Sequence, residues 1–265
     1  MSPIFVRRGG TPRRDPEAAM TLVEHLEELR ARLIRALIGV AAGGVIGWFL
    51  YESVLALLLR PYCDYLETVP ESIRPRQGCG LFFMGALDPV LIKLKLVAFI
   101  GFFLALPFIL FQIWRFIVPG LTKSERRMGL PFILSSVVLF ALGAVVAYVT
   151  LPRGLAFLLG FAGPQFAPLL TGDRFLGFVM TIALAFGLSF EFPVVLVLLQ
   201  SLGVVTPAQL ASQRRAAVLF VAVFAAVITP SSDPYSMLAL MLPMLVFYEA
   251  SILIGRLILR RRRTA

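Results

Sequence analysis

Metal and redox chemistry have little to work with in this sequence. It holds one histidine and two cysteines, with no Cys-x-x-Cys and no His-Glu-x-x-His spacing, so the usual zinc, haem and iron–sulfur ligand sets are excluded and no cofactor is implied. Charge is scarce too. Only 15% of residues are charged against 59% hydrophobic, and mean hydropathy is +0.89, a balance that does not give a soluble domain with a polar surface. No Gly-rich loop ending in Lys is present to cradle a nucleotide phosphate. An intramembrane enzyme lacks a nucleophile and base, since the lone His25 lies outside the apolar runs. The net charge of +10 would suggest nucleic acid in a soluble chain. Here the basic residues follow membrane topology and form no groove with interleaved aromatics, which argues against a nucleic-acid partner.

What is present is a series of apolar runs. The expected class is an all-α polytopic membrane protein with six spans, at about 33–59, 91–118, 130–151, 175–200, 216–229 and 235–254. Residues 1–19 are polar, basic and rich in Gly and Pro, and disorder is expected there. Met20 is a second candidate start. Arg7-Arg8 is not read as an export signal, because no short apolar run with a cleavage site follows it. Residues 20–256 make up the membrane domain, and 257–265 a basic tail. Thr21 to Glu24 has the pattern of a capping box. The helix it opens carries Leu22, Leu26, Leu29 and Leu33 at helical spacing, as expected of a surface helix that precedes the first span.

Gly39, Gly43 and Gly47 recur every fourth residue in that span, leaving one face open to another helix backbone. Residues 60–88 are expected to be irregular. They hold Cys63 and Cys79, for which a disulfide and two unrelated thiols are both open readings. Lys93 and Lys95 can snorkel at the start of the second span. The fifth span supplies only 14 residues, about 21 Å of helix against a hydrocarbon core of about 30 Å. The last span carries Pro243 and an acid expected to be buried, Glu249.

The fourth run contains Glu191 at membrane depth. A carboxyl there costs several kcal/mol unless it is protonated, paired or facing a wet cavity. Pro193 adds an unpaired carbonyl at Ser189, while Ala183 and Gly187 lie one and two turns back on the same face and leave room for another helix to approach. Three readings of Glu191 are open: a packing contact to a neighbouring helix, a functional polar site, or the proton carrier of a small-solute secondary transporter. The last expects internal repeats, and none is evident. Glu28 is likewise open between ligand binding and a surface pair with Arg32 at i,i+4. Glu125, beside Arg126 and Arg127, has the same two readings.

The basic residues give an orientation. The side bearing both ends receives 16 Lys and Arg and the other side seven, with Arg35 and Arg115 just inside spans. Both termini are therefore expected in the cytoplasm, with the cysteine loop outside.

Four motifs in order carry a family resemblance: His25-Leu26-Glu27-Glu28-Leu29-Arg30-Ala31-Arg32-Leu33, Phe116-Ile117-Val118-Pro119-Gly120-Leu121 with Glu125-Arg126-Arg127, Phe190-Glu191-Phe192-Pro193, and Thr229-Pro230 through Asp233. Over essentially residues 20–256 the chain resembles TatC, the polytopic subunit of the twin-arginine protein translocase. The resemblance implies a curved, cupped six-helix bundle in the cytoplasmic (inner) membrane. It implies a non-enzymatic role as receptor for the paired arginines of signal peptides on folded cargo. The partners implied are single-span subunits of the TatA/TatB type, in a multimeric complex driven by the proton-motive force. It places signal-peptide binding at Glu28, Arg30, Phe116 and Glu125, and the partner-facing intramembrane site at Glu191 with Pro193. The chain departs from the family pattern in the final hairpin, where Thr-Pro-Ser-Ser-Asp replaces Thr-Pro-Pro-Asp and Met237 stands where Gln is frequent.

Overall fold

A computed structural model describes residues 22–68, 78–118, 129–160, 170–229 and 233–264. The expectations for residues 1–19, for the Thr21 cap, for the loop holding Glu125 and for the middle of the final hairpin fall outside those residues. Among the described residues eight helices follow one another: α1 (Leu22–Thr68), α2 (Asp88–Ile117), α3 (Gly129–Gly160), α4 (Gly172–Phe190), α5 (Phe192–Ser201), α6 (Pro207–Ser212), α7 (Arg214–Ile228) and α8 (Pro234–Thr264). Five stretches are long and apolar enough to cross a membrane, α4 and α5 counting as one. The 15 residues of α7 reach about 22 Å, short of the hydrocarbon core, as the length of its apolar run requires.

α1 runs unbroken through the amphipathic segment, the first span and nine residues expected to be irregular. Pro61 lies inside it, where it cannot donate to the carbonyl of Leu57 four residues back. The Tyr148 hydroxyl of α3 donates to that carbonyl instead, at 3.0 Å, and this substitute bond lets the helix continue. α1 packs along α2 through the glycine face. A Cβ on Gly43 would lie 2.6 Å from the Gly101 carbonyl oxygen, and one on Gly101 2.6 Å from Val40 O and Gly44 N. Only glycine on both helices permits that approach. α3 and α4 meet in the same manner, with Gly143 against the Phe186 carbonyl and Gly187 under the Phe140 ring, so α3 fills the space beside Gly187.

The fourth span bends at Glu191, the residue between α4 and α5. The cause is Pro193; Ser251 Oγ of α8 lies 3.4 Å from the Pro193 carbonyl but donates to Phe247 O of its own helix at 2.7 Å. The connection after α5 contains α6, opened by a capping box in which Thr206 and Gln209 bond reciprocally. Glu249, expected to be buried, is half exposed and forms a two-bond fork with Arg214 at 2.6 and 2.9 Å. The start of α7 brings that arginine alongside α8, which gives the acid a surface partner. The core runs through Leu96, Phe186, Leu176, Leu240 and Met244, all buried.

At the end away from the termini, Cys63 and Cys79 are joined, with Cα atoms 5.0 Å apart. Phe82 pairs with Thr171 in an isolated parallel bridge, and Gly172 N donates to Phe82 O at 2.8 Å. Asp88 accepts from the amides of Met84 and Gly85, and Lys95 pairs with Asp173 at 2.5 Å. Lys93 lies 4.0 Å over the Trp48 ring, the cation–π form of an interfacial lysine. These contacts bind the segment before α2 to the start of α4. Replacing both cysteines by serine is expected to cost about 3 kcal/mol, on chain-entropy grounds for a loop of this size. The readout is the thermal midpoint of the purified protein. Reductant should reproduce the drop in the parent and leave the double variant unmoved.

Candidate functional site

At the end of the molecule that bears the amino terminus, the first turns of α1 meet the last turn of α2. Leucines on α1 set its apolar face, which turns His25, Glu28 and Arg32 toward α2 at i, i+3 and i+7. The His25 ring stacks on Phe116 with centroids 4.3 Å apart and planes 19° from parallel. The Arg32 guanidinium pairs with Glu28 Oε1 and donates through Nη1 to the Gln112 carbonyl at 3.2 Å. The pairing read from the i,i+4 spacing is therefore made, yet it is not the solvated surface pair first expected. The Arg32 side chain is 11% exposed and that of Glu28 23%.

Glu28 Oε2 and Gln112 Oε1 are buried here with no hydrogen-bond donor, and Arg32 Nε is buried without an acceptor. Buried polar atoms without partners are costly and uncommon. A carboxylate oxygen left without a donor beside a single guanidinium can take a second planar cation. The structure thus brings Glu28 and Phe116 together and leaves Arg30 exposed on another side of α1. Glu125 lies outside the described residues. Gln112 was not foreseen, although a lone amide in the apolar run Phe102–Ile113 was a usable signal.

The second polar group lies at the α4–α5 bend. Glu191 is partly exposed, with the Ser136 hydroxyl of α3 beside it. Neither Glu191 Oε1 nor Ser136 Oγ completes a hydrogen bond. Pro193 is buried next to it. One turn beyond α5's midpoint, Gln200 Nε2 donates to Leu196 O and to Ser251 O at 3.2 and 3.0 Å, so the Gln200 amide clamps α5 to α8 while Glu191 keeps a free oxygen. Among the described residues no group of three His, Cys, Asp or Glu could hold a metal ion.

Among the described residues, five long apolar helices, a short sixth span and a half-buried carboxylate–guanidinium pair at one end define a multi-pass membrane protein. A family model described as Sec-independent protein translocase protein (TatC) matches residues 24–243. The TatC protein of Frankia casuarinae is 44% identical over 92% of this chain and 68% of its own length. That of Aquifex aeolicus is 38% identical over 92% of this chain and 98% of its own. A crystal structure described as the twin arginine translocase receptor TatC superposes with a TM-score of 0.70 at 38% identity, covering 88% of this chain and 99% of that one. The chain belongs to the TatC family of Sec-independent protein translocase components, and it is not an enzyme. That membership does not favour the small-solute transporter reading of Glu191.

Truncating Arg32 to Ala is expected to destabilise the protein by about 1–3 kcal/mol, because Glu28 and the Gln112 carbonyl lose their donor. Arg30→Ala should stay within about 0.5 kcal/mol, as exposed positions do. Thermal unfolding in detergent distinguishes them, and equal effects would refute the placement of Arg32.

Proposed function

We propose that this chain is the receptor subunit of a twin-arginine protein translocase, and that the α1–α2 cluster binds the paired arginines of signal peptides on folded cargo. The observation that carries this reading is the buried carboxylate oxygen Glu28 Oε2, which has no donor although Glu28 Oε1 is paired with Arg32. A guanidinium presents a planar fork of five donors and can satisfy both oxygens of a carboxylate, whereas an ammonium is a point charge. Glu125 supplies the second carboxylate in this reading, Phe116 with His25 an aromatic wall, and Arg30 a flanking contact. Glu191, at the break before Pro193 and with an oxygen to spare, contacts the single-span partner subunits in this reading. The cluster faces the cytoplasm, with both termini on that side of the inner membrane, because the basic residues concentrate there. Transport itself draws on the proton-motive force through the assembled complex. A bundle of this size has no room to pass a folded protein.

A fluorescent signal peptide with Arg-Arg should bind the purified protein in detergent. Glu28→Gln, Glu125→Gln, or a Lys-Lys peptide should each weaken binding at least about tenfold, or ~1.4 kcal/mol. Thermal midpoints of both variants serve as the folding control. Equal affinity for both peptides, unmoved by either substitution, would place the arginine site elsewhere.

A further inference from the structure

A cavity of about 400 Å³ opens among α1, α2, α3 and α4 in the half of the bundle away from the termini. Its wall is apolar, formed by residues such as Leu57, Phe103, Leu104, Val145 and Val179, and it widens beside the small side chains of Ala144 and Ala183. The space beside Ala183 expected to admit another helix is this cavity. Apolar walls do not hold water. The helices around it cross the hydrocarbon, so the cavity's open side faces lipid.

The rim carries the polar features. Tyr148 lines the cavity, and its hydroxyl is held by Leu57 O. Arg60 lies one turn further along α1. It is exposed, forms no ion pair among the described residues, and is close enough for its charge to act on the Tyr148 phenol. Asp64 acts on the same phenol with the opposite sign. An unpaired guanidinium above a dry, membrane-facing recess is complementary to a phosphodiester above a hydrocarbon chain. The neighbouring Asp64 works against headgroups with a second negative charge.

We infer that this cavity binds one acyl chain of a glycerophospholipid whose phosphate is held by Arg60. Size decides against a partner helix. A helix about 10 Å across would fill 400 Å³ in about one turn, whereas a single hydrocarbon chain can run the depth of the recess. The arrangement depends on Pro61: it frees the Leu57 carbonyl, the carbonyl fixes Tyr148, and the ring forms the rim below Arg60.

The test is native mass spectrometry of the full chain, delipidated and then titrated with phosphatidylglycerol or with diacylglycerol of the same chains, alongside thermal midpoints. The parent should retain one phosphatidylglycerol and be stabilised by it, and diacylglycerol should do neither. Arg60→Gln, at an exposed position that leaves packing alone, should weaken retention about tenfold, as loss of a charge-assisted pair does. Ala144→Leu should fill the recess and abolish retention, and Ala183→Leu gives the same readout should the first variant misfold. Equal retention of the two lipids, indifference to Arg60, or a photo-crosslinker at Ala144 that captures a helix instead of lipid would overturn the assignment.

Discussion

Inside a bilayer no water is available to take up a spare hydrogen bond, and at Pro61 this requirement is met from far along the chain. Each proline within a helix withdraws a donor, and the carbonyl it leaves must find another. At Pro61 the substitute is a tyrosine hydroxyl from α3, which ties α1 to a helix it otherwise meets only in part. Near the α4–α5 bend, the Gln200 amide ties α5 to α8 through the Ser251 carbonyl. Other interhelical polar bonds, such as that from Arg32 to the Gln112 backbone carbonyl and the Arg214–Glu249 fork, lie away from these interruptions and add to the packing of neighbours.

Against that background the unsatisfied atoms stand out. Glu28 Oε2, Arg32 Nε, Gln112 Oε1, Glu191 Oε1, Ser136 Oγ and Gln200 Oε1 are buried without partners, in a chain whose Tyr148 crosses from α3 to meet one carbonyl of α1. They fall in three places: where α1 meets the end of α2, at the bend of the fourth span, and between α5 and α8. In the function proposed above, a cationic peptide would use the first of these places and a partner helix the second, since a fully satisfied network offers nothing to a ligand. Arg32 occupies part of the first site, which keeps the Glu28 charge tolerable while the site is empty.

Close packing supplies the precision. Gly43 on Gly101 and Gly143 on Phe186 bring backbones into contact, which leaves little freedom of rotation or slide between α1 and α2 or between α3 and α4. His25 and Phe116 stack at the end of the α1–α2 pair because its register is already set further down. Where small residues meet no opposing backbone, as at Ala144 and Ala183, the bundle leaves a recess.

Much of this was legible in the sequence. Apolar runs declared the spans, because only a continuous helix satisfies its own backbone in lipid. The glycine repeat of α1 announced a close neighbour, and the length of the fifth run required a short helix. Glu28, Phe116 and Glu191 were identifiable from their motifs. The sequence could not say that α1 would continue past Pro61, since the bond that permits it comes from a residue 91 positions away. Nor could it say that Glu249 would meet Arg214 at the surface, that Gln112 would join Glu28 and Arg32, or that Arg30 would point elsewhere. Local pattern determines which segments become helices and which face is apolar, because those depend on neighbours three and four residues apart. Which polar atoms find partners across helices depends on the packing of residues far apart in the chain, and only the tertiary structure decides it.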